Sequence, residues 1–130
     1  MSSSYTHKRL TDVEDSAEKF GFGETHEIRF AHDDLNADQN GVSHQWYKPG
    51  KRQPFGHKHD DVEELYVVIG GSGRVKLDDD VVGLERLDVI RVAPGVMRAF
   101  EAGDEGLEIL AFSPRRPDDR GEVVPEWWTD

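Results

Sequence analysis

The chain has no cysteine among its 130 residues. That excludes disulfides, a thiolate metal site and a cysteine nucleophile. No apolar run approaches the roughly 18 residues that a membrane helix needs. The start, Met1-Ser2-Ser3-Ser4-Tyr5, lacks the apolar stretch of a signal peptide, and a cytoplasmic protein is the simpler expectation. Positive charge is scarce: 16 Lys and Arg stand against 27 Asp and Glu, for a net charge of −11. A surface of that sign repels phosphate backbones and anionic lipids, so nucleic-acid and membrane partners are not expected. Internal repeats are absent. Biased composition is confined to the serine-rich start and to Asp78-Asp79-Asp80. The length is that of one domain, small enough that one sheet system must supply its core.

What is present is a series of short apolar segments. Thr11-Asp12-Val13-Glu14 has the residue types of a helix N-cap box, and Gly21 would stop that short helix after Phe20. Strands are expected over 24–32, 42–47, 64–69, 73–77, 81–84, 88–92, 98–101 and 107–112. Asn40-Gly41, Pro49-Gly50 and Asp78-Asp79-Asp80 mark turns between them. Many short strands with regular turns predict an all-β barrel or sandwich. Residues 1–23 read as an arm and short helix, 24–112 as the barrel, and 113–130 as an irregular tail. Trp127 and Trp128 are too apolar to leave in water, so the tail should pack on the barrel or on a partner. The strand after Glu64 is apolar on both faces, with Tyr66 and Val68 on one and Leu65, Val67 and Ile69 on the other. An outer face of that kind needs cover, which the N-terminal segment, the tail or a second subunit could provide, and a homodimer is expected.

The chemistry concentrates around His57-Lys58-His59 and the carboxylate Glu64 just downstream. Histidines at i and i+2 of an extended segment share a face. With one carboxylate they could hold a single Fe, Mn, Ni, Zn or Cu ion. The plain alternative is two histidines on a polar loop, with Glu64 pairing with Lys58 or an arginine. Tyr66 shares the face of Glu64 and would line the same space. His44 is a possible substitute ligand from a neighbouring strand, or an ordinary strand histidine. Arg98 pointing inward would hold an anion by a bidentate pair; pointing outward it would pair with one of the many acids. Trp46 and Phe100 read as core. Gly71-Ser72-Gly73 is not a phosphate loop, since it lacks the lysine and the following helix.

Gly50, His57, His59, Glu64 and Gly71 together resemble the first motif of the cupin family, in order and in spacing. Glu63 with Gly70 fits that motif as well. Glu64 is preferred, because Gly71-Ser72-Gly73 then forms the hairpin turn that follows the strand in this family. The segment from Leu87 to Arg98 resembles the second motif with departures. Leu87 stands where glycine is usual, Ala93 where proline is usual, and Arg98 where metal-loaded relatives have a fourth ligand, a histidine. Arginine has no lone pair to give a metal. The resemblance implies a single antiparallel jelly-roll barrel, a divalent metal at His57, His59 and Glu64, and a small organic or sugar-like ligand in the barrel. Family activities include those of dioxygenases and isomerases. The alternative implied by Arg98 is a non-catalytic module that binds a small anion without metal.

Overall fold

A computed structural model describes residues 4–119 and 121–130. A 3-10 turn at Leu10–Asp12 and a single helical turn, α1 (Ser16–Lys19), precede the strands. These are β1 (His26–Phe30), β2 (Asn40–Tyr47), β3 (Phe55–Lys58), β4 (Glu64–Leu77), β5 (Asp80–Glu85), β6 (Val89–Val92), β7 (Arg98–Pro114) and β8 (Glu122–Pro125). Every pairing is antiparallel. The path runs β1-β2-β7-β3-β8, and β4 joins β5, β6 and β7. The sheet curls into a barrel around an apolar core. Among the described residues, no helix is long and apolar enough to cross a membrane.

Alternation decides what the barrel encloses. In β2, Ser43, Gln45 and Tyr47 are buried, and the residues between them lie on the other face. Tyr66, Val68 and Val75 of β4 meet Phe100, Leu107 and Ile109 of β7 in one core cluster. Tyr47 stacks on Phe100 at 5.8 Å between ring centroids, and Tyr66 meets Phe100 edge-on at 4.9 Å. Outside, Leu65, Val89 and Phe112 stay exposed.

Several expected boundaries move. Thr11 does not cap the helix. Asp15 does, and its carboxylate accepts from the backbone N–H of both Ala17 and Ile28, at 3.0 Å each. One side chain thus ties α1 to β1, a tertiary contact that no local cap signal carries. The two strands expected at 64–69 and 73–77 are one, β4, and those at 98–101 and 107–112 are one, β7. Gly71-Ser72-Gly73 is therefore not a hairpin turn. It is a bulge where two long strands bend together, with register shifts at Val68/Gly70 and Gly71/Gly73.

Gly71 is needed at that bend. Its φ is +68°, and a Cβ there would lie 2.0 Å from the Gly106 carbonyl oxygen. Gly71→Ala should therefore cost at least about 1–3 kcal/mol, as overpacking of a tight site does. Urea unfolding checks this; an unchanged midpoint would mean that the bend relaxes freely.

The tail also departs from expectation. It is not irregular throughout, since Glu122–Pro125 forms β8 and pairs with β3 through Gly56↔Val124 and His57↔Val123. Trp127 then sits on Gly56, where a Cβ would approach the indole to 2.6 Å. The Lys76 ammonium lies 4.0 Å above the Trp127 ring. Trp128 donates to the Gln53 carbonyl at 3.0 Å and lies beneath the Arg52 guanidinium. Both tryptophans thus lie against their own barrel. Glycine at 56 leaves room for an indole, a reason no periodicity in the sequence reveals.

Candidate metal centre

Three separate elements bring the site together. β3 carries His57, whose register partner on β7 is Arg98. His59 follows just beyond β3, and its carbonyl accepts from Gly95 N–H at 2.8 Å. Glu64 opens β4, paired with Val92 of β6. Strand alternation turns Glu64 and Tyr66 inward and Leu65 outward. Glu63 points away, exposed, with Arg91 at 3.5 Å. Of the two glutamates left open by the sequence, Glu64 is the one that meets the histidines.

The Nε2 atoms of His57 and His59 lie 3.8 and 3.7 Å from Glu64 Oε1. One ligand atom from each of the three residues falls within 4.8 Å of the others. Burial lowers the pKa of His57, with the Glu64 carboxylate pulling the other way and Arg98 and His59 reinforcing the drop. A neutral imidazole keeps the lone pair that a metal requires. Behind His59, the Asp119 carboxylate lies 3.6 Å from Nδ1. A carboxylate there favours the proton on Nδ1 and leaves Nε2 free, the usual support for a ligating histidine. This donor set fits a centre with three protein ligands.

Beneath the carboxylate lies Arg98, with no exposed surface. All three of its nitrogens are committed to the protein. Nε donates to Tyr66 Oη at 3.1 Å, one terminal nitrogen to the Val96 carbonyl at 2.9 Å, and the other to Glu64 Oε1 at 2.5 Å. The Tyr66 hydroxyl donates to the same Glu64 oxygen. Burial opposes the charge on Glu64. The His57 imidazole, the Arg98 guanidinium and the Tyr66 hydroxyl outweigh it and hold the pKa at about 2. Tyr66 itself stays protonated, pushed well above its ordinary value by burial and by Glu64.

Arg98 and Tyr66 line neither cavity beside the site, so they are not pocket residues. They act on it through Glu64, and the Arg98 charge also helps lower the pKa of His57. His44 is not a substitute ligand. It lies on the other face of β2, hydrogen-bonded to Glu108 at 2.5 Å, because the buried positions of that strand are Ser43 and Gln45.

Asp119 was missed by the sequence reading. It accepts from the backbone N–H groups of Asp60, Asp61 and Val62 at 3.0, 2.8 and 3.0 Å. Burial again opposes the charge, and these three donors hold the carboxyl at about 2. The tail therefore braces the loop between the histidines and Glu64. An aspartate in a run of Pro, Asp and Arg has no spacing signal that would point to this role.

No family model and no curated protein sequence matches the chain. Solved structures do. A cupin protein from Bacteroides fragilis is similar over 99% of this chain and 99% of its own, at 20% identity and a TM-score of 0.72. The polyketide cyclase from Streptomyces resistomycificus is similar over 96% of this chain and 87% of its own, at 18% identity and a TM-score of 0.74. Oxalate decarboxylase from Bacillus subtilis matches 91% of this chain with only 31% of its own length, at 18% identity and a TM-score of 0.72. At these identities the likeness establishes the fold. With one curled antiparallel sheet, a short N-terminal helix and a His-His-Glu group on its inner face, this chain is a small barrel of the cupin fold.

Proposed function

We propose that the protein binds one divalent metal through His57, His59 and Glu64 and takes a small organic ligand in the adjoining cavity. The observation that carries this is the convergence of two imidazole Nε2 atoms on one ionised carboxylate, with Asp119 behind His59. A bound metal would supply Lewis-acid polarisation of a ligand oxygen. The chain's own residues do the rest. Arg98 and Tyr66 fix Glu64 and keep it charged, Asp119 orients His59, and the buried side chain of Val62 helps keep water from the loop. Because Arg98 cancels the charge of Glu64, the cage is neutral overall and binds more weakly than one in which a histidine replaces the arginine. The neighbours include a decarboxylase and a cyclase, so the fold does not choose a reaction.

Titration calorimetry with Fe, Mn, Ni, Zn and Cu, on protein purified without a nickel column, tests this. One ion per chain is expected, and none after His57→Ala with His59→Ala. A second reading is favoured by one observation, the engagement of Glu64 Oε1 by Arg98. It is a metal-free binding module for small anions, and it takes over if no ion gives binding heat.

A further inference from the structure

Two cavities meet at the centre, and their walls differ in chemistry. One, of about 290 Å³, is walled by Phe20, Phe22, Ile28, Phe30 and Phe55. The other, of about 280 Å³, is walled by His32, Ser113, Arg115 and Arg116. Phe30, Ser43, His59 and Glu64 belong to both, so the two arms join beside the metal ligands.

In the first arm the phenyl groups of Phe22 and Phe55 lie 5.1 Å apart, and Phe20 and Phe30 are 69% and 44% exposed. The barrel core does not use these two rings. Two polar side chains on this wall are already bonded within the protein. Gln45 pairs with Ser43 and Tyr47, and Gln53 accepts from Phe100 N–H. A sugar hydroxyl set against the phenyl groups would lose water without gaining a partner. A flat apolar group would instead cover exposed phenyl surface.

The second arm is lined by two arginines, Arg115 and Arg116, in a chain whose net charge is −11. Its two carboxylates are already compensated, Glu64 by Arg98 and Asp119 by three backbone N–H groups. Among the described residues the Arg115 side chain is tied only to Asp33, at 3.1 Å, and that aspartate is 80% exposed. An exposed pair of this kind is weak and exchangeable. Arg116 is exposed and makes no ion pair among the described residues. The planar fork of arginine matches a carboxylate. His32 adds a buried Nδ1 with no hydrogen-bond partner among the described residues.

We infer that the ligand is an amphiphilic organic acid, its flat apolar body in the phenyl arm and its carboxylate at Arg115 and Arg116. This rests on the metal-centre reading for its place in the site but uses none of the three metal ligands. Calorimetry on the full chain, both chelator-stripped and metal-loaded, tests it with 2-naphthoate, its neutral counterpart 2-naphthalenemethanol, and acetate. Naphthoate should bind in both states, tighter than either comparison by roughly tenfold or more, the worth of a charge-assisted pair or of a buried ring. Arg115→Ala with Arg116→Ala should erase the advantage over the alcohol and leave alcohol binding unchanged. Phe20→Asp, at an exposed position, should weaken both aromatic probes. Equal affinity for naphthoate and the alcohol, acetate binding as tightly as naphthoate, or no naphthoate binding to folded protein overturns the inference. Naphthoate binding without any metal uptake sinks the metal reading and keeps this one. Metal uptake without naphthoate binding does the reverse.

Discussion

Replacing Arg98 with methionine should lower the unfolding free energy by about 3–5 kcal/mol, the usual cost of leaving one member of a buried ion pair alone. Glu64 would then hold a buried charge with only the Tyr66 hydroxyl and the two imidazoles beside it. Adding Glu64→Gln should recover most of that loss, because the amide still accepts from Tyr66 and no charge remains. The double-mutant cycle in urea reads the coupling directly. Acid gives an independent check. The Glu64 carboxyl is depressed from 4.5 to about 2, so its contribution is fully present above pH 4.5 and is lost as pH falls through about 2. In Arg98→Met that acid-sensitive part should shrink, since the guanidinium is one of the groups that hold the pKa down. A single variant that loses less than about 1 kcal/mol would show that the pair is not what stabilises the barrel floor.

The same position divides stability from metal binding. Arg98→His removes the cation from Glu64 and sets an imidazole where the family resemblance puts a fourth ligand. Metal-free protein should be less stable than the parent, and added metal should raise its melting temperature by more, because stabilisation by a ligand grows with the logarithm of its affinity. Equal metal-induced shifts in parent and variant would mean that position 98 has no route to the ion.

Asp119→Ala should weaken metal binding by about 10–100-fold, the range seen when the support of a ligating histidine is removed. Two effects add. His59 loses the carboxylate 3.6 Å from Nδ1, and the loop before Glu64 loses the acceptor for three backbone N–H groups. Calorimetry of metal binding measures the first effect, and thermal melting of the metal-free protein measures the second. Asp119→Asn separates them. Its single amide oxygen can still accept from Asp61 and Val62, so more of the stability should be kept than in Asp119→Ala, while the charge that favours the Nδ1 proton is gone and affinity should stay low. Parent-like affinity in both variants would leave the tail with a structural role only.

The group of His57, His59 and Glu64 that could hold a metal was legible in the sequence because its geometry is local. His57 and His59 share a face through strand periodicity alone, and Glu64 follows within the same short segment. The β-rich architecture was legible for a similar reason, since alternation and turn residues repeat along the chain. The choice between Glu63 and Glu64 was not, because neighbours in a strand face opposite ways and only the pairing of Glu64 with Val92 settles which way is in. Gly71-Ser72-Gly73 carries the residues of a turn, yet the close approach of Gly106 makes it a bend within β4. His44 could be a substitute ligand or an ordinary strand histidine, and the pattern of β2, which puts it on the other face, decides for the latter. Arg98 could be placed at the fourth-ligand position from sequence, but its burial under Glu64 and its three protein partners are tertiary facts. Asp119 lies furthest from anything the sequence could show. A carboxylate is polar wherever it stands. Only the return of the tail as β8, beside the strand that carries His57, sets it against His59 and the loop that leads to Glu64. Short-range spacing selects the donor atoms, and long-range pairing decides what surrounds them, because register between distant strands is a property of the whole sheet.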